Sequence, residues 1–172
     1  MITWIAGLSG CGKSTVGRAL VDRLDQIGVQ AVLLDGDELR GALDLTDYSE
    51  AGRLNAGMKY AKLGELLAAQ GWNVIISAGG LSPGLHPWAR GQIHGYYAIL
   101  LDVPLSEVRT RDTKSLYRRA ASGEVRDLAG VDTRVASPEE YDGVIAWNAG
   151  DSIASTAAQA FALWQRFSGE SP

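Results

Sequence analysis

The amino-acid sequence predicts an α/β fold in which a parallel sheet of five strands carries helices on both faces. Short apolar runs alternate along the chain with segments whose apolar residues recur at helical spacing, the pattern of successive strand–helix–strand units. Such units join parallel strands through right-handed crossovers. The chain has 172 residues and no internal repeat or low-complexity linker, so we expect one domain over residues 1–172.

The first element is a strand formed by Ile2, Trp4 and Ile5, and a glycine-rich loop follows it directly. Residues 7–14 fit the pattern G-x-x-x-x-G-K-[ST], and the next segment has apolar residues at 16, 20 and 24, the spacing of one helix face. A glycine loop between a strand and a helix is the context of a phosphate-binding loop. The alternative is a glycine-rich turn that binds nothing.

The residue types of this loop suit a polyphosphate. Gly7, Gly10 and Gly12 allow successive N–H groups to point inward, and the following helix adds its partial positive charge. We expect Lys13 to reach the β- and γ-phosphates and the Ser14 hydroxyl to hold Mg²⁺. The predicted ATP-binding residues of the loop are Gly7, Leu8, Ser9, Gly10, Cys11, Gly12, Lys13, Ser14 and Thr15. These features predict a P-loop protein that binds a nucleoside triphosphate.

Composition excludes several classes of function. The net charge of −4 and the pI near 5.1 argue against wholesale binding to nucleic acid or to an anionic membrane. No apolar run approaches the roughly 18 residues of a membrane span, and the N-terminus leads straight into a strand rather than a secretion signal. Cys11 is the single cysteine and cannot form an internal disulfide or a zinc cluster; we interpret it as a small spacer in the loop rather than a redox group. These features predict a cytoplasmic protein.

Two carboxylates follow the second predicted strand, Gln30 to Leu34. Asp35 and Asp37 stand at the carboxyl end of a parallel strand, beside the phosphate loop in a doubly wound fold. There they could coordinate Mg²⁺ through water or accept the proton of an attacking hydroxyl. The alternative role for Asp37 is to cap the helix that follows. We favour a functional role for Asp37, whereas for Asp35 both readings stay open.

The middle of the chain predicts a long helix from Ser49 to about Gln70 and a third strand at 72–77. The glycine- and proline-rich loop at 78–87 leaves the carboxyl edge of the sheet and is expected to line the pocket. A short helix is expected from Trp88 to His94. His86 and His94 lack a metal-ligand pattern, so we expect solvated or capping roles for them.

The last third begins with a fourth strand, Tyr96 to Asp102, and a helix from Pro104 to Arg111. The stretch from Arg109 to Arg119 contains four arginines and one lysine, and this cluster of positive charge has two possible interpretations. These residues form either a solvated helix face or a mobile lid over about 112–136 that carries cations over ATP. The position in the chain favours the lid. A final strand at 144–147 and a helix from Ser152 to Phe167 complete the fold.

Several motifs together resemble the adenylylsulfate kinase (APS kinase) family. They are Gly7-Leu-Ser-Gly-Cys-Gly-Lys-Ser-Thr15, Leu34-Asp-Gly-Asp-Glu-Leu-Arg40, Tyr48-Ser-Glu50 before Arg53, Arg111-Asp-Thr-Lys-Ser-Leu-Tyr117, Ala121-Ser-Gly-Glu124 and Gly130-Val-Asp132. The resemblance implies a nucleoside-monophosphate-kinase-like fold with a lid. It also implies transfer of the γ-phosphate of Mg-ATP to the ribose 3′-hydroxyl of adenylyl sulfate. Family members are often homodimers, which makes a homodimer the expectation here.

The resemblance also assigns roles to residues. Asp37 resembles the catalytic carboxylate near the acceptor hydroxyl and the metal, and Lys13 is the second expected catalytic residue. Arg40 and Arg53 resemble arginines that grip the anionic groups of the acceptor. The lid lysine is Lys114, and the adenine of ATP is expected near Arg109 and the turn Leu128-Ala-Gly130. Asp35, Asn55 and Ser77 complete the expected acceptor-binding residues.

The sequence departs from the family on the acceptor side. Asn55 is shifted by one position from the family asparagine, Met58 replaces an arginine, and Leu128 replaces a phenylalanine. The family's S-F-I-S-P-Y loop is replaced by Ser77-Ala-Gly-Gly-Leu-Ser-Pro-Gly84. The segments Asn55-Ala-Gly-Met-Lys-Tyr60 and Trp88-Ala-Arg90 partly match a divergent branch, some of whose members phosphorylate acceptors such as cytidine diphosphoramidate.

The sequence therefore leaves four hypotheses about function. The first is an APS kinase, and the second is a related kinase for another nucleotide-linked acceptor or a small-metabolite hydroxyl. A nucleotide-dependent switch is disfavoured because the sequence has no guanine-reading N-K-x-D motif. A binding module that keeps ATP without catalysis is the fourth.

Overall fold

The computed structural model describes residues 1–112 and 115–169. Within them, five strands form one parallel sheet in the order β2-β3-β1-β4-β5. The strands are β1 (Ile2–Ala6), β2 (Ala31–Asp35), β3 (Asn73–Ser77), β4 (Tyr96–Asp102) and β5 (Gly143–Ala146). The predicted five-stranded parallel sheet is confirmed.

Helices connect the strands on both faces of the sheet. They are α1 (Lys13–Gln26), α2 (Gly36–Ala42), α3 (Glu50–Ala68), α4 (Leu85–Gln92), α5 (Leu105–Arg111), α6 (Leu116–Ala121) and α7 (Ile153–Ser168). One turn of 3₁₀-helix, Pro138–Glu140, precedes β5. No helix in the described ranges is long and apolar enough to cross a bilayer.

The central strand β1 has no exposed residue, because sheet neighbours flank it and helices cover both of its faces. Trp4 and Ile76 face α3 and α4, whereas Ile5 and Ile75 face α1 and α7. Apolar side chains buried on both faces are typical of parallel sheets and supply most of the driving force for folding. The order of strands reverses direction at β1, so the carboxyl ends of β1 and its neighbours border a crevice.

Helix α4 is the element whose predicted position differs most from the structure. The sequence predicts it from Trp88 to His94, but it spans Leu85–Gln92. It begins after Gly84, which has a φ of 80° that favours glycine. Pro87 is the third residue of the helix, where the N–H that proline lacks would have no intrahelical partner.

Candidate active site

The phosphate loop connects β1 to α1, and its three predicted glycines have positive φ angles. Gly10 and Gly12 have φ values of 78° and 102°. Gly7 has a φ of 150°, and a Cβ there would lie 2.7 Å from the Cys11 Sγ atom and 2.9 Å from the Leu101 carbonyl oxygen. Any side chain at position 7 would therefore displace the loop from β4.

Lys13 opens α1, and its side chain turns back over the loop. Its Nζ atom donates a hydrogen bond to the Leu8 carbonyl at 2.7 Å and lies 3.9 Å from the Cys11 Sγ atom. The ammonium group therefore sits inside the curve of the loop, where a phosphate would be held. Ser14 is half-buried in the first turn of the same helix.

Ser77 has a different surrounding from the one predicted. It is buried, with 2% of its surface exposed, and its hydroxyl donates to the Lys13 carbonyl at 3.1 Å. A Cβ on Gly17 would lie within contact of the same hydroxyl, so α1 packs directly on this serine. Ser77 thus anchors the first turn of α1 rather than contacting an acceptor, which corrects its predicted role.

The two carboxylates at the end of β2 differ in burial and in role. Asp35 is the N-cap of α2, and its Oδ1 atom accepts from the Asp37 N–H at 2.9 Å. The capping role considered for Asp37 therefore belongs to Asp35, which is 6% exposed. Asp37 itself is exposed in the first turn of α2, at the carboxyl edge of the sheet.

Two arginines meet around Tyr48. The Arg40 guanidinium lies 4.1 Å from the centroid of the Tyr48 ring, and the Arg53 guanidinium lies 5.7 Å from it. Arg40 donates to the carbonyls of Leu45 and Asp47, at 2.7 and 3.0 Å, so it also orders the loop after α2. Burial, and secondly the charge of Arg40, lower the pKa of Arg53. The structure thus brings together the two arginines expected to bind the acceptor.

Three other predicted residues lie apart from this pair. Asn55 is exposed on α3, and two residues along a helix from Arg53 it points to a different face. Arg109 is exposed in the last turn of α5. Lys114 lies outside the described residues.

The predicted lid segment contacts the phosphate loop and α3. The Tyr117 hydroxyl on α6 donates to the Ser9 carbonyl at 2.8 Å, and burial raises the pKa of Tyr117 to about 12. Arg53 Nη2 donates to the Asp127 carbonyl at 2.6 Å. Through these bonds the segment contacts both the phosphate loop and Arg53.

The turn at 128–130 was expected near adenine. Leu128 is buried in the cluster on the α1 side of the sheet. A Cβ on Gly130 would lie 2.7 Å from the Leu8 Cδ2 atom. This turn rests on the phosphate loop itself.

A concave surface lies between the carboxyl ends of β4 and β5 and the start of α7. Its lining includes Leu101, Arg111, Trp147, Asp151 and Ile153, and it also reaches Cys11 in the phosphate loop. Apolar walls with a few polar groups suit the base of a nucleotide whose phosphates lie in that loop. Arg111, rather than Arg109, is the arginine that lines this surface.

A buried histidine was not predicted. His86 has no exposed surface; its Nε2 atom lies 2.7 Å from the Gly80 carbonyl and its Nδ1 atom 2.8 Å from the Tyr96 hydroxyl. The carbonyl can only accept, so Nε2 carries the proton and Nδ1 accepts from Tyr96. Burial lowers the pKa of His86 to about 4, which keeps the ring neutral. The solvated role expected for His86 is therefore wrong, whereas His94 is exposed.

The loop after β3 is fixed by this histidine and by the segment before β5. Tyr141 donates to the same Gly80 carbonyl at 2.9 Å, and the Ala136 N–H donates to the Leu81 carbonyl at 2.8 Å. The loop in turn reaches the phosphate loop, because the Gly7 N–H donates to the Gly79 carbonyl at 3.1 Å.

The donors present suit Mg²⁺. No group of three or more histidine, cysteine, aspartate or glutamate side chains that could hold a metal occurs in residues 1–112 and 115–169. Mg²⁺ is commonly bound through one or two protein oxygens together with phosphate oxygens and water. The Ser14 hydroxyl and the Asp37 carboxylate are oxygen donors of this kind at the predicted phosphate site.

Comparisons with known proteins identify the family of the chain. The family model described as "Adenylylsulphate kinase" matches residues 1–146. The cytidine diphosphoramidate kinase of Campylobacter jejuni is 36% identical over 138 residues, which cover 80% of this chain and 81% of that protein. The adenylyl-sulfate kinase of Pseudomonas aeruginosa is 32% identical over 148 residues, which cover 81% of this chain and 72% of that protein.

A solved structure has the same architecture over nearly the whole chain. The APS kinase of Mycobacterium tuberculosis, in complex with AMPPNP and APS, superposes with a TM-score of 0.87 at 29% identity, covering 95% of this chain and 96% of that one. The family match and the curated relatives thus extend over most of the chain. The chain therefore belongs to the adenylylsulphate kinase family and is an ATP-dependent kinase that transfers a phosphoryl group to a hydroxyl acceptor.

Proposed function

We propose that the protein phosphorylates a hydroxyl of a nucleotide-linked anion, and that this acceptor is cytidine diphosphoramidate. The observation that carries the acceptor class is the pairing of Arg40 and Arg53 around Tyr48. Two guanidinium groups close together repel each other, and a phosphate-containing group bound by both relieves that repulsion. In a protein with a net charge of −4, such a local pair favours an anionic ligand at this place.

The reaction follows from the residues around the two sites. Loop N–H groups and Lys13 hold the triphosphate, and Ser14 and Asp37 would hold Mg²⁺, which neutralises phosphate charge when bound. The acceptor oxygen forms a bond to the γ-phosphorus while the bond to the bridging β–γ oxygen breaks. The acceptor proton passes to Asp37, and ADP leaves. Positioning and charge neutralisation supply most of the acceleration.

Cytidine diphosphoramidate is favoured by the acceptor side of the chain. The relative that carries this name is 36% identical to the chain, and the P. aeruginosa adenylyl-sulfate kinase is 32% identical. Met58, where the APS kinase pattern has an arginine, packs partly buried against the core on the α3 side. Leu128, where that pattern has an aromatic residue, is buried in the core on the α1 side. Both positions thus serve packing rather than charge or stacking at a substrate.

Adenylyl sulfate is the second candidate, with phosphorylation of its ribose 3′-hydroxyl. The superposition on the M. tuberculosis APS kinase, with a TM-score of 0.87, supports it. The D-G-D-x-x-R and R-D-x-K-x-L-Y blocks also support it, because they occur in this chain in the order that the APS kinase pattern has.

The test is acceptor-dependent release of ADP from Mg-ATP with purified protein. The acceptors are cytidine diphosphoramidate, adenylyl sulfate, CDP and AMP, each over a range of concentrations. We expect kcat/KM for cytidine diphosphoramidate to exceed that for adenylyl sulfate at least tenfold, about 1.4 kcal/mol of transition-state discrimination. A preference for adenylyl sulfate would select the second candidate. Release of ADP with none of the four would contradict the nucleotide-linked acceptor.

A second experiment tests Asp37. We expect Asp37→Asn to keep ATP affinity and to lose turnover, because the amide cannot accept the proton of the acceptor hydroxyl. The matched control is Asp44→Asn: Asp44 is exposed just beyond α2 and has a φ of 51°, which asparagine tolerates. Turnover of Asp37→Asn equal to that of the control would remove the proposed role of Asp37.

A further inference from the structure

The segment Asn55-Ala-Gly-Met-Lys-Tyr60 on α3 is a sequence feature that acceptor binding does not explain. Asn55 is exposed, whereas Ala56, Gly57 and Tyr60 are buried toward the sheet. The buried residues of the segment therefore contact the protein interior rather than a ligand at the surface. Among them, Tyr60 carries a polar group, its hydroxyl.

Tyr60 connects α3 to the turn that carries Asp37. Its ring stacks on Trp4 with centroids 6.3 Å apart and an interplanar angle of 28°. Its hydroxyl donates to the Gly36 carbonyl at 3.2 Å, and only 4% of the residue is exposed. Gly36 is the residue immediately before Asp37, so this bond holds the peptide group that precedes the carboxylate.

Two further contacts fix the same peptide group. The Asp37 N–H donates to the Asp35 side chain at 2.9 Å. A Cβ on Gly36 would lie 2.7 Å from the Ala78 Cβ atom, so the backbone of Gly36 is held closely against the loop after β3. The Gly36–Asp37 peptide is thus held from α3, from β2 and from the β3 loop.

We infer that Tyr60 is a positioning residue for phosphoryl transfer: its hydroxyl holds the Gly36 carbonyl and thereby sets the place of the Asp37 carboxylate relative to the phosphate loop. This inference rests on the proposed role of Asp37. Stacking on Trp4 needs only the ring, so packing alone gives no reason for a hydroxyl at this buried position. A buried hydroxyl is costly unless it is hydrogen-bonded, and here its partner is the carbonyl next to the carboxylate. Burial raises the pKa of Tyr60, which keeps the hydroxyl protonated as a donor.

The first experiment compares Tyr60→Phe with Tyr97→Phe in the steady state. Tyr97 stacks on Phe167 with ring centroids 4.6 Å apart, on the α7 side of the sheet, so the control removes a hydroxyl from an aromatic pair outside the site. We expect Tyr60→Phe to lower kcat roughly tenfold, because a small displacement of a reacting group is costly. The KM for ATP stays within about twofold, because the phosphate loop is untouched. The control keeps both constants.

The second experiment places Tyr60→Phe in the Asp37→Asn background. A residue that acts through Asp37 has no further effect once the carboxylate is gone, so we expect the residual turnover to change less than about twofold. Loss of turnover in Asp37→Asn together with full turnover in Tyr60→Phe would overturn the inference about Tyr60 and leave the proposed role of Asp37 in place. An equal loss from Tyr60→Phe in both backgrounds would overturn it too, and so would failure of Tyr60→Phe to fold. Full turnover in Asp37→Asn would instead overturn the proposed role of Asp37.

Discussion

The ammonium group of Lys13 bonds to a carbonyl of its own loop, at 2.7 Å from the Leu8 oxygen. That bond satisfies the charge without phosphate, and a bound triphosphate would offer a stronger, charged partner in the same place. The sequence predicted this residue because the glycine-rich pattern lies between an apolar strand and a helix.

Lys13→Ala is expected to lower kcat/KM for ATP by at least about a hundredfold, or ~2.7 kcal/mol of transition-state stabilisation. The reason is the loss of a direct charge–phosphate contact. The control is Lys62→Ala, which removes an exposed ammonium from α3. Equal steady-state rates for the two variants would contradict the assignment of the ATP site.

His86 shows what a sequence pattern cannot reveal. Its partners, Gly80 and Tyr96, lie six and ten residues away, and Tyr141 meets the same Gly80 carbonyl from beyond the lid segment. A lone histidine after a glycine-rich loop gives no sign that three separate segments converge on it.

The folding stability should therefore fall in mild acid. The pKa of His86 is about 4 in the folded protein, against 6.5 for an ordinary histidine, so the unfolded chain binds a proton first as the pH drops. Between pH 7 and pH 5 we expect His86 to contribute a loss of about 2 kcal/mol in the free energy of unfolding. Urea unfolding at both pH values measures it. His86→Gln should remove this part of the pH dependence, and His94→Gln should leave it. Equal pH dependence in wild type and His86→Gln would argue against the buried neutral ring.

At the scale of elements, the prediction of strands succeeded because each strand is a short apolar run, and the inner strands β1, β3 and β4 are almost entirely buried. Predicted and observed bounds differ by about one residue for β2 and β3. Helix α4 was placed too late, because its start depends on the left-handed Gly84 and on the burial of His86, which tertiary contacts decide. Helix α6 lies in the segment for which a solvated helix face and a lid were both considered, and no bounds for a helix were predicted there.

The contact between α3 and α4 depends on a glycine. A Cβ on Gly57 would lie 2.6 Å from the Leu85 Cδ2 atom, and Leu85 is 1% exposed. We expect Gly57→Ala to destabilise the protein by about 1–3 kcal/mol through overpacking. Gly91 in α4 has open space around its missing Cβ, so Gly91→Ala should instead stabilise by about 0.4–1 kcal/mol. Thermal unfolding of both variants measures the difference; destabilisation of similar size in both would contradict the packing argument.

For the whole molecule, the P-loop context predicted the α/β class and ATP use, which the family match confirms. The acceptor-side residues were predicted less well. Arg40 and Arg53 meet, but Ser77 is turned toward α1 and Asn55 toward solvent. Resemblance transfers a motif position, whereas the direction of a side chain depends on local packing that a single sequence does not show.

The stabilisation of the whole protein by bound nucleotide is expected to depend on Mg²⁺. A non-hydrolysable ATP analogue with Mg²⁺, at about a hundred times its Kd, should stabilise the protein by about 2.7 kcal/mol. For a domain of this size that corresponds to a rise in Tm of roughly 5–10 °C. With EDTA in place of Mg²⁺ we expect less than half of that rise, because the phosphate charge is no longer neutralised. An equal rise in both conditions would contradict magnesium-assisted binding of the nucleotide.

The bonds that fix the loop after β3 also bear on the predicted lid segment. From Ala136 to Asp142 the chain is tied down: Ala136 bonds to Leu81, Tyr141 to Gly80, and Asp142 to Arg90 at 2.9 Å and to the N–H of Ala98. We therefore expect any movement of the predicted lid segment to end just before Ala136. We expect amide hydrogen exchange to slow at that residue, because the backbone beyond it is hydrogen-bonded to the loop after β3 and to β4.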